Sequence, residues 1–362
     1  MNIRNIFYTS TLLVSFVSCR PVAVQVDSPV MKTKYFTKDE VAVTGGAFKH
    51  AEEKDVEYLL SLDADRFLSG FRQEAGLKPK APKYEGWESL GVAGQTLGHY
   101  LSACAMYYAT SGDERFKKIL DYIIDELDVC QQANGNGYLA ATPEGKRIFA
   151  EVAKGNIYSQ GFDLNGGWVP LYVMHKVLAG LIDVYQYAGN ERALNIAEKL
   201  ADWMYTNFYH LTEEQMQKVM ACEFGGMNEA LANLFGITGN DKYLALAKRF
   251  DNHKAIMDSL AIEVDDLEGK HANTQVPKVI GAARLYELTG SKRDSVIASF
   301  FWKTVVDNHT YVNGGNSDGE HFGAPGQLND RLSGSNTETC NTYNMLKLTR
   351  HLFSWNSLPQ YS

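Results

Sequence analysis

The sequence predicts an all-α protein, a closed toroid of helical hairpins whose long loops gather at one mouth. Three observations carry this. Apolar residues recur at three- and four-residue spacing through most of the chain beyond residue 50. Helix-stopping glycines at 189, 239 and 290 repeat at intervals of 50 and 51 residues, each preceded by an aromatic-ended helix and followed by a second amphipathic one. Strand-type alternation is nearly absent, and long inserts between the repeats fit a ring with loops at its mouth better than an open solenoid.

The elements follow in order. Residues 1–19 read as an export signal: Arg4 supplies the positive start, and residues 6–17 are apolar but too short and too broken by hydroxyls to span a bilayer. Ser18-Cys19 resembles a lipoprotein box, although Phe16 stands where Leu is usual, so both lipidation and ordinary cleavage are open. Either way the chain is expected to be exported, to the periplasm or as an outer-membrane lipoprotein, touching a membrane only through a lipid anchor. Residues 20–45 form an extended segment and residues 46–362 the helical domain. Helices are expected over 49–71 and 90–110, the latter stopped by Ser111-Gly112-Asp113. Gly189, Gly239 and Gly290 introduce helices running toward Tyr205, over 242–250 and over 294–306. A last helix carries Met345, Leu348 and Leu352.

The 45% apolar and 22% charged composition is that of a folded protein with a large core, which rules out disorder. A net charge of −8 with no basic block argues against nucleic acid and favours a neutral, hydroxyl-rich ligand. Cys104, Cys130 and Cys222 sit in apolar surroundings and read as buried thiols rather than a disulfide framework.

The inserts hold the informative residues. Asn134 to Leu139, Gly166 to Tyr172, Glu223 to Glu229 and His271 to Pro277 each join glycine or proline to an aromatic, amide or carboxylate group and lead into an apolar helix. Aromatic faces for the C–H side of a sugar ring, with polar groups for its hydroxyls, make a carbohydrate site. Trp168 could equally be a core aromatic. His99 and His175 could be hydrogen-bonded structural histidines. His271 is expected at a helix mouth, with Pro277 as the first helical residue.

The most distinctive motif is Glu338-Thr339-Cys340, preceded by a glycine-rich run that contains Glu320. A carboxylate beside a thiol can hold a soft metal, and two carboxylates can run acid/base chemistry. Ser335-Asn336-Thr337-Glu338 also has the form of a capping box, in which Glu338 only starts a helix. That helix start would place Cys340 where the dipole favours thiolate. Both readings of Glu338 remain open on the residues alone.

Taken together, the motifs around His99, His175, Glu223 to Glu229, His271 to Lys278 and Glu338 to Cys340 resemble the β-L-arabinofuranosidases of glycoside hydrolase family 127, from about residue 34 to the end. The resemblance implies an (α/α)6 barrel and a retaining mechanism. It also implies a Zn2+ ion held by a Glu-x-Cys pair and two adjacent downstream cysteines, one of them the nucleophile. It makes Glu338 and Cys340 zinc ligands, with Glu338 counted among the catalytic groups, and Glu320 the acid/base. His99, Trp168, His175, Glu223, Asn228, His271, Asn273 and Gln275 become candidate substrate contacts. The implied substrate is an oligosaccharide or polysaccharide bearing non-reducing-end β-L-arabinofuranosyl or related residues, as in plant-type glycans. No cysteine follows Cys340, so the expectation is a family member shortened at its C-terminal end, with the ring incomplete there. Two other functions stay open: another (α/α)6 carbohydrate enzyme, such as an unsaturated uronyl hydrolase or a lyase, and an inactive glycan-binding fragment.

Overall fold

The computed structural model describes residue 28 and residues 30–361; residues 1–19, read above as an export signal, lie outside the described residues. Fifteen α-helices follow one another among the described residues. The first are α1 (Gly46–Ser61), α2 (Ala64–Glu74), α3 (Trp87–Leu90), α4 (Gln95–Ser111), α5 (Glu114–Asn134) and α6 (Gly145–Ala153). A small antiparallel sheet follows, β1 (Ser159–Gln160), β2 (Asp163–Leu164) and β3 (Gly167–Trp168). Beyond it lie α7 (Pro170–Ala188), α8 (Glu191–Phe208), α9 (Glu213–Val219), α10 (Met227–Thr238), α11 (Asp241–Arg249), α12 (Asp258–Ala261), α13 (Ala272–Thr289), α14 (Lys292–Thr304) and α15 (Thr339–Asn356).

The hairpins form where the sequence punctuates them. Gly112, Gly189, Gly239 and Gly290 all take left-handed backbone, with φ from 65° to 72°, and end α4, α7, α10 and α13. The next residue, Asp113, Asn190, Asn240 or Ser291, caps the following helix by accepting a backbone N–H two or three residues on. Stop and start are thus adjacent, and the chain reverses within two residues.

Each hairpin gives one helix to an inner layer and one to an outer layer. The inner helices α4, α7, α10, α13 and α15 pack on one another in that order, backed by α5, α8, α11 and α14. His99 of α4, Lys176 of α7, Glu229 of α10, Pro277 of α13 and Lys347 of α15 all line one polar lumen. The tightest inner crossing is α4 on α7: a Cβ on Gly98 would stand 2.2 Å from the Lys176 carbonyl oxygen, and one on Gly180 2.6 Å from that of Gly98. Around the lumen the apolar faces form two clusters, one drawn mainly from α1 to α11 and one joining α12, α13, α14 and α15.

Several expectations are corrected. The span 49–71 is two helices, because Asp63 caps α2 through the Asp65 N–H and breaks the run at Leu62. The helix expected from residue 90 begins at Gln95, since Gly91 and Gly94 both have positive φ. Pro277 lies inside α13, whose N-cap is His271, and not at its first position. Among the described residues of the N-terminal segment, a 3-10 turn spans Lys38–Glu40, and Lys32 and Thr33 donate their backbone N–H groups to the Ser354 carbonyl at the far end of α15.

Candidate active site

The mouth of the lumen is built by the N-terminal ends of α13 and α15 and by the loop over residues 310–338. That loop is zipped together and onto both helices. Asp318 bridges Asn336 and His321, and His321 bridges His271. Ser317 accepts a 2.9 Å hydrogen bond from the Asn341 side chain, buried in the first turns of α15. The Ala272 N–H, one of the donors left free by the start of α13, goes to the Glu320 carbonyl at 2.8 Å.

This anchoring fixes the Glu320 side chain. Its backbone has φ 68°, unusual for a residue with a side chain. The carboxylate lies 2.7 Å from His271 Nε2 and is more than half exposed, open to an incoming molecule. The His271 ring is seated edge-on against Phe162, with centroids 5.6 Å apart, and against His321 at 5.2 Å. Its Nδ1 is buried without a partner.

Glu338 is itself the N-cap of α15, so Ser335 caps nothing there and the capping-box reading is overturned. The reason is local: Thr337 has φ 62°, which turns the chain sharply just before Glu338. That conformation is rare for a β-branched residue and is held by packing. The Thr337 side chain fills the space where a Cβ on Gly315 would sit, at 1.9 Å. The Glu338 Oε2 atom is buried and has no hydrogen-bond partner. Cys340, exposed in the first turn, lies beside that carboxylate. Burial and then the neighbouring Glu338 push its thiol up to about 11, against the thiolate expected from the helix dipole.

An orphaned carboxylate oxygen next to a thiol is a donor pair of the kind zinc takes. Among the described residues, however, no third His, Cys, Asp or Glu joins them. The other described cysteines, Cys104, Cys130 and Cys222, are sealed in the core.

The remaining candidates divide. Glu223 reaches the same neighbourhood: burial raises its pKa, and His271, Lys278, Lys176 and Glu320 all act on it. Gln275 is buried beside His271, donating to the His271 carbonyl at 3.2 Å and accepting from Lys278 at 3.1 Å. His99 is solvent-accessible yet ringed by the lumen wall, and desolvation with Lys176 and Lys347 holds its pKa down to about 3, so it is a neutral ring. His175 is enclosed: its Nδ1 accepts the Gly226 N–H at 3.3 Å, and the pocket around it exists because Gly225 has no side chain. Asn228 is committed to packing, its amide donating to the Lys278 carbonyl at 2.8 Å and filling the space above Gly281. Asn273 accepts from Asn344 at 2.8 Å, tying α13 to α15. Trp168, 39% exposed, stands on the outer lip beside Gly91, and no recorded contact joins it to Glu320 or Glu338.

Sequence reading missed Lys176, Lys278, Lys347 and Phe162. The inner helices turn Lys176 and Lys347 into the lumen wall and Lys278 into the neighbouring cavity. Burial pushes Lys176 and Lys278 down to about 8. Lys347 stays charged because it reaches across to Glu229, 3.0 Å from both carboxylate oxygens.

Residues 40–362 match the family model described as the β-L-arabinofuranosidase, GH127 catalytic domain. The chain is 25% identical over 297 residues to the non-reducing end β-L-arabinofuranosidase of Bifidobacterium longum, an alignment covering 73% of this chain and 43% of that protein. Its fold is similar to the crystal structure of a GH127 β-L-arabinofuranosidase from Geobacillus stearothermophilus T6 (TM-score 0.65, 19% identity, 89% of this chain and 54% of that one). It is similar too to a second GH127 β-arabinofuranosidase structure (TM-score 0.66, 18% identity, 94% and 53%). The chain thus spans about half the length of these relatives. With the family model matching nearly the whole helical domain, this chain belongs to glycoside hydrolase family 127, the β-L-arabinofuranosidase catalytic domains.

Proposed function

We propose that the chain is the catalytic part of an exported glycosidase that removes non-reducing-end β-L-arabinofuranosyl or related residues from plant-type glycans with retention. The observation that carries this reading is the single neighbourhood shared by the Glu320–His271 pair and the Glu338–Cys340 pair. Asp318 bridges both His321, which itself bridges His271, and Asn336, two residues before Glu338, and Glu223 feels the charges of both His271 and Glu320.

In this reading Glu320, exposed and oriented by His271, protonates the glycosidic oxygen as the bond breaks and then takes a proton from the attacking water. Glu338 and Cys340 provide two ligands to zinc, which when bound would hold sulfur as thiolate and supply positive charge at the mouth. The resemblance puts the nucleophile on a cysteine C-terminal to Cys340. The neutral His99 ring offers a donor and an acceptor to sugar hydroxyls.

Two measurements test this. Zinc uptake under equilibrium dialysis should be lost in Cys340→Ala and in Glu338→Ala. Turnover of an aryl β-L-arabinofuranoside by the full-length protein should fall by about 100-fold or more in Glu320→Gln. Undiminished turnover in Glu320→Gln rejects the acid/base role, and zinc uptake that ignores both ligand substitutions rejects the metal pair.

A further inference from the structure

At the His271 end of α13 lies a second cavity of about 260 Å³ lined by Phe162, Glu223, Lys270, His271, Gln275 and Lys278 among others. Its construction is that of a binding site. Phe162 occupies the tip of the β1–β2 hairpin and is 46% exposed, yet it is not loose. Gly161 bridges Cys222, and the Glu223 N–H donates to the Gly161 carbonyl at 2.9 Å, so the hairpin that carries the aromatic ring is fastened to the segment that carries Glu223. An exposed aromatic held rigidly costs solvation without returning core packing, which is the expected arrangement when its face is kept for a ligand.

The polar wall is equally committed. Lys278 is 5% exposed and is held by Gln275 at 3.1 Å over the Phe224 ring. The Glu223 side chain is half-buried, and among the described residues no hydrogen bond or ion pair engages its carboxylate. A carboxylate in a cavity wall without a protein donor is open to accept hydrogen bonds from a ligand. A sugar ring has what this cavity lacks: a C–H face for Phe162 and hydroxyl donors for Glu223.

We propose that this cavity is the subsite for the leaving-group sugar, with Phe162 as its stacking wall and Glu223 as its hydroxyl acceptor. The inference rests on the glycosidase reading and adds to it the side on which the aglycone binds. His271 lines this cavity, and its Nε2 holds Glu320, the proton donor to the bond being broken, so a glycosidic oxygen at Glu320 lies beside the Phe162 cavity. The enzyme would then discriminate in favour of substrates whose aglycone is itself a pyranose or furanose ring.

The test is calorimetric binding to the full-length protein of two probes, methyl β-L-arabinofuranoside and a disaccharide of β-L-arabinofuranose linked to a second pentose. The disaccharide should bind about tenfold more tightly, Phe162→Ala should erase that gain while leaving methyl glycoside affinity within about twofold, and Glu223→Gln should erase the gain as well. Phe162→Tyr should retain the gain, and the melting temperatures of all variants show that the fold is intact. Equal binding of the two probes, or a gain that survives Phe162→Ala, overturns the subsite and leaves the glycosidase reading standing. Binding of neither probe overturns both.

Discussion

At the scale of single residues, the chemistry depends on side chains placed against their usual preference. Glu320 and Thr337 both sit in left-handed backbone, and Glu338 leaves a buried oxygen unpaired. Such departures persist only where the surrounding structure over-determines them, and they cluster at functional sites. Lys176 is the clearest test. It lines the lumen with no ion pair recorded among the described residues, only the Tyr172 ring at 4.9 Å. Burial, followed by repulsion from Lys347, lowers its pKa from 10.5 to about 8. Below pH 8 the folded chain therefore bears the cost of a buried charge, and that cost fades as pH rises toward 10.5, where unfolded lysine also loses its proton. Lys176→Met is expected to stabilise the protein by about 1–3 kcal/mol at pH 7 and by much less at pH 10, as read by denaturant melts at both values. His271, Glu320, Glu338 and Cys340 were legible as candidates because each belongs to a compact motif. Asn228 was misleading for the same reason: its motif is real, but its amide is used to join α10 to α13.

At the scale of elements, the helix boundaries follow rules visible in sequence, and the loops do not. Gly112-Asp113, Gly189-Asn190, Gly239-Asn240 and Gly290-Ser291 specify their turns locally, which is why the hairpins could be read in advance. The start of α15 could not, since Ser335 and Glu338 satisfy the capping pattern while tertiary contacts to Gly315 and Ser317 set another geometry. Two substitutions probe these levels. Gly98→Ala drives a methyl group into the α7 backbone, where no flexible side chain can yield. It is expected to cost about 1–3 kcal/mol or more, measured by chemical denaturation. Gly315→Ala displaces Thr337 instead, and should weaken zinc uptake through Glu338 several-fold in equilibrium dialysis while shifting the melting temperature little.

At the scale of the whole molecule, five inner helices enclose a lumen that is charged rather than apolar. Lys347 of α15 crosses it to Glu229 of α10, and the two groups hold each other ionised against burial, the lysine pKa raised and the carboxylate lowered. Removing one partner strands the other, so Lys347→Met should destabilise the fold by about 3–5 kcal/mol. Adding Glu229→Leu to that variant should recover much of the loss, a double-mutant cycle followed by equilibrium unfolding. The sequence by itself determined the helical class, the hairpin repeat, the family and the motifs that converge at the mouth, because caps, stop glycines and apolar periodicity act over a few neighbouring residues. Tertiary structure alone decided which lysines face inward, that Glu320 meets His271 across 49 positions of chain, and that Phe162 and Glu223 wall a common cavity. Those contacts join residues far apart in sequence, and only the packing of the inner helices and the pinning of the loops across them bring such residues together.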